Sequence, residues 1–103
     1  MTFIQTKAIK KAQQSLCRYR ISALGLNRKG EIIGSSINKT RFDHKGGGLH
    51  AESNLISKYG NQLKTIIICR VGLSGNILPI HPCVNCSSLA DKFDIKIKTI
   101  SEI

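Results

Sequence analysis

The sequence predicts an α/β protein with a three-layer α-β-α architecture, a mixed sheet of about four strands and the element order α-β-β-α-β-α-β. Two patterns predict this fold. Apolar residues recur at helical spacing in three segments, and four other segments are rich in β-branched residues or alternate apolar with polar residues. With 103 residues, 41% of them hydrophobic, the chain has room for one core, so residues 1–103 are expected to form a single domain.

The first half of the chain predicts a helix followed by a β-hairpin. Over about residues 4–16, apolar residues recur every four positions with lysines between them, which indicates an amphipathic helix with a solvated basic face. Residues 18–26 and 31–38 favour strands. The intervening residues 27–30 have a turn composition and end on a glycine, where a positive φ is expected.

The second half predicts two further helices and two further strands. Residues 39–49 are basic and contain three consecutive glycines, so we expect a mobile loop there. A helix is predicted over about residues 50–59, and an interior strand, covered on both faces, over residues 63–71. A helix opening at Pro82 and running to about residue 93 follows a glycine-rich turn, and residues 95–100 alternate apolar residues with lysine as in a strand with one wet face.

The charge of the chain favours anionic partners. Sixteen Lys and Arg residues stand against 6 Asp and Glu residues, which gives a formal net charge of +10. Nucleic acid, nucleotide phosphates and an acidic membrane surface are the partner classes that such a surface attracts. Charge alone names no partner, so a protein that is merely basic is the alternative. Because no run of about 18 apolar residues is present, no membrane span is expected.

The cysteines indicate an intracellular protein with metal or redox chemistry. Two of the four cysteines form a Cys-x-x-Cys pair, and the N-terminus lacks the charged and apolar segments of a secretion signal, so a cytoplasmic location is expected. The other two, Cys17 and Cys69, have apolar neighbours and are interpreted as core thiols.

Two short motifs carry the candidate chemistry: His50-Ala51-Glu52 and Pro82-Cys83-Val84-Asn85-Cys86. Cysteines three positions apart at the start of a helix point to the same side, so Cys83 and Cys86 can bind one metal ion together. With His50 as a third ligand, a tetrahedral Zn²⁺ keeps one position open for water. Zinc strongly lowers the pKa of bound water, towards about 7, and Glu52 is the candidate carboxylate that takes its proton.

Two other interpretations of these motifs are open. In a closed four-ligand zinc site, His81 or His44 would be the fourth ligand and Glu52 a solvated helix residue. In a thioredoxin-like redox site, the Cys-x-x-Cys pair would act alone and the nearby His-x-Glu would be coincidental. The open zinc site is favoured because a closed site would need neither an open position nor an acid, and a redox pair would leave the His-x-Glu motif unexplained.

The two motifs resemble the signature of the zinc-dependent cytidine and deoxycytidylate deaminase superfamily, H-x-E followed by P-C-x-x-C. The resemblance covers about residues 4–100 and implies the cytidine-deaminase-like fold, with His50, Cys83 and Cys86 holding zinc and Glu52 moving protons. It implies a zinc-bound hydroxide that attacks C4 of a cytosine, or C6 of an adenine, with release of ammonia.

Substrate contacts are also suggested by this resemblance and by the basic loop. Asn38 resembles the asparagine that contacts the base or sugar in this family, although a turn-capping role is an equal alternative. Ala51, inside the first motif, is a further candidate contact. Phe42, beside Arg41 in the basic loop, is the one aromatic residue that looks available for stacking on a base.

Three functions follow from this reading. The first is a hydrolytic deaminase of cytosine in a nucleoside or nucleotide. The second is a deaminase of cytosine or adenine in single-stranded DNA or RNA, which the net charge supports and the scarcity of aromatic residues opposes. The third is a non-catalytic, zinc-stabilised module that binds nucleic acid. Many members of the superfamily continue with another helix and strand, so a sheet without that neighbour suggests a homo-oligomer.

Overall fold

A computed structural model describes residues 3–14, 20–37, 51–72, 74–80 and 84–100, and of residues 51, 53, 54 and 84–87 it describes the backbone. These residues form three α-helices, a short 3-10 helix and five strands. In chain order the elements are α1 (Phe3–Ala12), β1 (Arg20–Leu26), β2 (Ile32–Ile37), α2 (Ala51–Tyr59), the 3-10 helix (Gly60–Gln62), β3 (Thr65–Val71), β4 (Ile77–Leu78), α3 (Val84–Lys92) and β5 (Lys96–Thr99).

The strands form one mixed sheet with β3 in its interior. β1 pairs antiparallel along one edge of β3, and β2 extends the sheet as the antiparallel partner of β1. On the other edge of β3, β5 pairs in parallel, and β4 pairs antiparallel at Arg70 and Val71. The sheet therefore has a hairpin end, where the β1–β2 turn lies, and an opposite end, where β1 begins and β2 and β3 end.

Helices cover both faces of the sheet, which gives the three layers that the sequence predicts. α1 covers one face, and α2 and α3 cover the other. Because successive strand side chains point to opposite faces, β3 contributes to a core on each side. The buried residues on the α1 face are Ala8, Ala12, Leu24, Leu26, Ile67, Cys69, Val71 and Ile100, and those on the other face are Ala23, Leu55, Ile56, Leu63, Ile66, Ile68, Ala90 and Ile95.

Local hydrogen bonds explain the hairpin and the position of α1. In the turn, the Asn27 side-chain oxygen accepts hydrogen bonds from the backbone N–H groups of Lys29 (3.0 Å) and Glu31 (2.9 Å), and Gly30 has the positive φ of 80° that the sequence predicts. The buried Ser22 hydroxyl donates to the carbonyl of Ala8 at 2.7 Å, which ties α1 to β1.

The differences from the predicted elements are at helix ends and at one edge strand. α1 ends at Ala12, earlier than the predicted residue 16, and a turn follows to Gln14. The two-residue β4 was not predicted. It forms because the turn after β3 returns the chain to an edge of β3, where Gly72 N–H donates to the Asn76 carbonyl at 2.9 Å.

The predicted loop over residues 39–49 and the predicted helix start at Pro82 lie outside the described residues. None of the described helices is long and apolar enough to cross a membrane.

Candidate functional site

α2 and α3 contact each other on one face of the sheet and begin at the same end of it. The end of α2 lies at the hairpin end, because a Cβ built on Gly34 would overlap the ring of Tyr59. The end of α3 lies beside it, since a Cβ built on Gly60 would be 3.5 Å from the ring of Phe93. The first turns of both helices therefore lie at the opposite end of the sheet, which is called the site end below.

Glu52 lies at this site end, in the first turn of α2. It is seven residues before Tyr59, which corresponds to about 10 Å along the helix axis. Only 4% of the residue is exposed. Carboxylates are rarely buried to this extent, because removing a charge from water is unfavourable. The sequence correctly predicts a helix that starts beside this residue. It also predicts a side chain that can reach a bound water, but it does not predict that Glu52 is buried.

The predicted zinc ligands flank the same two helix starts. His50 directly precedes α2 and Cys83 directly precedes α3, and both lie outside the described residues. Cys86 is the third residue of α3, where the structure describes the backbone. The two chain segments that carry the predicted donors thus approach one end of the sheet, beside a buried carboxylate. One imidazole and two thiolates are a donor set that suits zinc. The alternative ligands His44 and His81 lie outside the described residues.

For the candidate substrate contacts, the structure shows the position of the neighbouring chain segments. Asn38, Arg41 and Phe42 lie outside the described residues, in the segment that follows β2. β2 ends at Ile37, which pairs with Ser22 near the site end. Ala51 is the first residue of α2, so its backbone lies at the site end. Their roles in binding remain predictions.

Arg70 is a site-end residue that the sequence reasoning did not identify. It is the sixth residue of β3, and it continues the alternation of Ile66 and Ile68, which face α2 and α3. Its Nε atom is buried. A positive charge on this face favours bound anions and thiolates. The sequence did contain a signal for this residue. Arg70 is a cation in a predicted interior strand of mostly apolar residues, and it lies two positions after Ile68, on the same face of the strand.

The described carboxylates are distributed unequally between the two ends of the sheet. Three of the four described carboxylates lie at the hairpin end: Glu31 follows the β1–β2 turn, Asp91 lies near the end of α3, and Asp94 pairs with Lys64 at 3.2 Å. Glu52 is the only described carboxylate at the site end. Arg70 lies there too, and so does Arg20 at the start of β1. The hairpin end also carries more cations than carboxylates, so the site end is distinguished by having a single described carboxylate and not by an excess of positive charge.

Cys69 is a core thiol, as the sequence predicts. It is fully buried on the α1 face of the sheet, whereas α2 and α3 cover the other face. Burial raises the pKa of its thiol to about 11, so it is protonated at neutral pH and does not compete for metal. Cys17, the other predicted core thiol, lies outside the described residues.

Comparison with protein families finds one match that covers most of the chain. Residues 2–101 match the model of the cytidine and deoxycytidylate deaminase zinc-binding region. The matched range includes both motifs and every element of the described fold. A search of curated proteins finds no match.

Solved structures show the same fold. A cytidine deaminase from Mycobacterium leprae has a TM-score of 0.66 and 21% identity, with 94% of this chain and 85% of that one covered. One from Burkholderia pseudomallei has a TM-score of 0.69 and 12% identity, covering 96% and 86%. One from Mycobacterium tuberculosis has a TM-score of 0.61 and 19% identity, covering 92% and 79%. At these identities the likeness shows the fold.

Proposed function

The chain belongs to the cytidine and deoxycytidylate deaminase family, and we propose that it is a zinc-dependent hydrolase that deaminates cytosine in a nucleoside or nucleotide. The observation that carries the proposal is the buried Glu52 in the first turn of α2, at the end of the sheet where α3 also begins. A buried carboxylate beside two helix starts is suited to proton transfer in a site that excludes bulk water.

His50, Cys83 and Cys86 would hold the zinc ion. Helix N-termini stabilise negative charge, so the start of α3 favours the thiolate forms of Cys83 and Cys86. When bound, zinc supplies an activated water as the nucleophile. These three residues contribute the ligands and leave Glu52 outside the donor set.

Glu52 would manage the protons of the reaction. Its carboxylate accepts a proton from the attacking water and returns protons to the base, so that the exocyclic amino group departs as ammonia and a carbonyl replaces it at C4. Its burial supports this role, because water cannot easily replace the side chain as the proton carrier.

Deamination of a panel of substrates by wild-type and Glu52→Gln protein tests the proposal. Cytidine, deoxycytidine, their monophosphates and the adenine counterparts are incubated with zinc-loaded protein, and mass spectrometry detects the change of about 1 Da. We expect a cytosine compound to be converted. Glu52→Gln should lower kcat at least about 100-fold, the lower end of the usual contribution of a general acid or base, while zinc content stays stoichiometric.

Asp91→Asn is the matched control. It also neutralises one carboxylate, but Asp91 is exposed near the end of α3, away from the site end. We expect it to keep wild-type turnover. Retained turnover in Glu52→Gln would refute the role of Glu52. If zinc-loaded wild-type protein converted no substrate in the panel, the deaminase proposal itself would be wrong, and the zinc-stabilised binding module would be favoured.

A further inference from the structure

The outer surface of α1 carries positive charge, and no carboxylate among the described residues balances it. Lys7, Lys10 and Lys11 are three and four positions apart, so they lie on one side of the helix. No acidic residue occurs between residues 1 and 30, and none of the three lysines has a carboxylate partner among the described residues. Like charges at this spacing destabilise a helix. A bound polyanion would relieve the repulsion.

Phe3 adds an exposed aromatic ring to the same surface. It is 74% exposed, whereas the other large apolar side chains of α1 are at least partly buried against the sheet. The Nζ atom of Lys7 lies 5.9 Å from the centre of the ring. An exposed ring next to a cation is the combination that binds a base by stacking and its phosphate by charge. Phe3, Lys7, Lys10 and Lys11 are together called the α1 basic face.

A groove follows the α1 basic face. It has a volume of about 390 Å³ and lies between α1 and β2, with Thr6, Gln14 and Ser35 completing its lining. From Phe3 to Lys11 the helix advances about 12 Å, the length of three to four stacked nucleotides at 3.4 Å each. The groove is therefore long enough for a short stretch of a strand.

The direction of α1 connects this groove with the candidate site. Its first turn lies at the hairpin end, where Phe3 and Ile4 share a surface depression with Gly30 and Glu31. The carboxylate of Glu31 accepts a hydrogen bond from the Asn27 side chain at 3.2 Å. The other end of α1 leads to the site end, because a Cβ built on Gly75, after β3, would lie 3.3 Å from the Gln13 side chain.

We propose that the α1 basic face binds a single strand of nucleic acid and directs it towards the end of the sheet that carries Glu52. The inference deepens the proposed function, on which it rests, by assigning a polymer as a substrate class. A single strand fits better than a duplex because Phe3 requires an unpaired base for stacking, and because a deaminase needs its target base outside a helix. The lysines fit phosphates, which are spaced regularly along a strand.

Binding of a fluorescein-labelled 12-nucleotide single strand, followed by fluorescence anisotropy between 50 and 200 mM salt, tests the inference without relying on catalysis. The test variant is Lys7→Gln/Lys10→Gln/Lys11→Gln. The matched control is Lys58→Gln/Lys92→Gln/Lys96→Gln, which removes three exposed lysines near the hairpin end and lowers the formal net charge equally, from +10 to +7. Zinc content and thermal melting show that both proteins fold.

The lysine variant should lose the salt dependence that its phosphate contacts create. At a slope of about −0.7 per contact for single strands, three lost contacts flatten the plot of log affinity against log salt by about 2. Wild-type affinity should therefore fall about 20-fold more than that of the variant over this salt range. The control should keep the wild-type slope. Phe3→Ala should weaken binding about fivefold or more, and Phe3→Leu, which keeps apolar surface without the ring, should do the same.

Four results would overturn the inference. Equal flattening in both triple variants would show attraction to overall charge only. Equally tight binding of duplex, with no effect of Phe3→Ala, would exclude a stacked single strand. Lysine-dependent binding of anionic phosphatidylserine vesicles, together with unchanged oligonucleotide binding, would make the surface a membrane contact. If the protein deaminated nucleosides but its oligonucleotide binding did not depend on α1, this inference alone would be refuted. If oligonucleotide binding depended on α1 but no substrate was turned over, only the proposed function would be refuted.

Discussion

The buried thiol of Cys69 makes the stability of the protein fall between pH 9 and pH 11. Burial raises the pKa of this thiol from 9.0 to about 11. In the unfolded chain the thiol loses its proton near pH 9, whereas in the folded protein it keeps the proton until about pH 11. The unfolded state is therefore favoured progressively over this interval, and the contribution that is fully present below pH 9 is lost by pH 11. A pKa difference of about two corresponds to about 2.7 kcal/mol.

Urea unfolding of wild-type and Cys69→Ala protein at pH 8, 9, 10 and 11 measures this contribution. Lysine and tyrosine side chains also titrate in this range, but they are common to both proteins, so the difference between the two curves isolates Cys69. Cys69→Ala is destabilised at pH 8 by the cavity it leaves in the α1-side core, and this deficit should shrink towards pH 11 by about 2–3 kcal/mol. A deficit that stays constant from pH 8 to pH 11 would contradict the buried, protonated thiol.

One packing contact and one buried hydrogen bond give further predictions. Gly34→Ala should lower the free energy of unfolding by about 1–3 kcal/mol in urea unfolding, because the added methyl group overlaps the ring of Tyr59. If Tyr59→Ala did not reduce the effect of Gly34→Ala in a double-mutant cycle, this overlap would not be its cause. Ser22→Ala should lower the melting temperature through a loss of about 1 kcal/mol, since the Ser22 hydroxyl donates to the Ala8 carbonyl at 2.7 Å inside the protein. An unchanged melting temperature would show that this hydrogen bond does not stabilise the attachment of α1.

The elements whose cause is local could be predicted from the sequence. The β1–β2 turn follows from Asn27, which accepts backbone hydrogen bonds, and from Gly30, which adopts a positive φ. The interior position of β3 follows from its run of β-branched residues. The start of α2 next to Glu52 was also predicted, and this places the candidate proton carrier in the first turn.

The features that depend on tertiary contacts could not be predicted in the same way. β4 has two residues, too few for a periodic pattern, and it exists because β3 offers an unpaired edge at Arg70 and Val71. The pairing of β1 with β2 shifts register near Gly25, where Ile33 becomes an extra residue, and alternation alone does not locate such a bulge. Arg70 could be placed at the site end only once the packing of β3 against α2 and α3 was known, and the sequence alone does not give that packing.

The places where the chain departs from local stability rules are related in space. Glu52 is a buried carboxylate, Arg70 is a cation in an interior strand, and the lysines of α1 repel one another with no acidic partner in the described part of the chain. Each departure is unfavourable for folding by itself, and such departures are expected where a function maintains them. The first two lie at the site end, and the third forms a path along α1 that leads there. A surface that is merely basic would not need its lysines to lead to the end of the sheet that carries Glu52 and Arg70. A site that binds a polyanion and moves protons does need this arrangement.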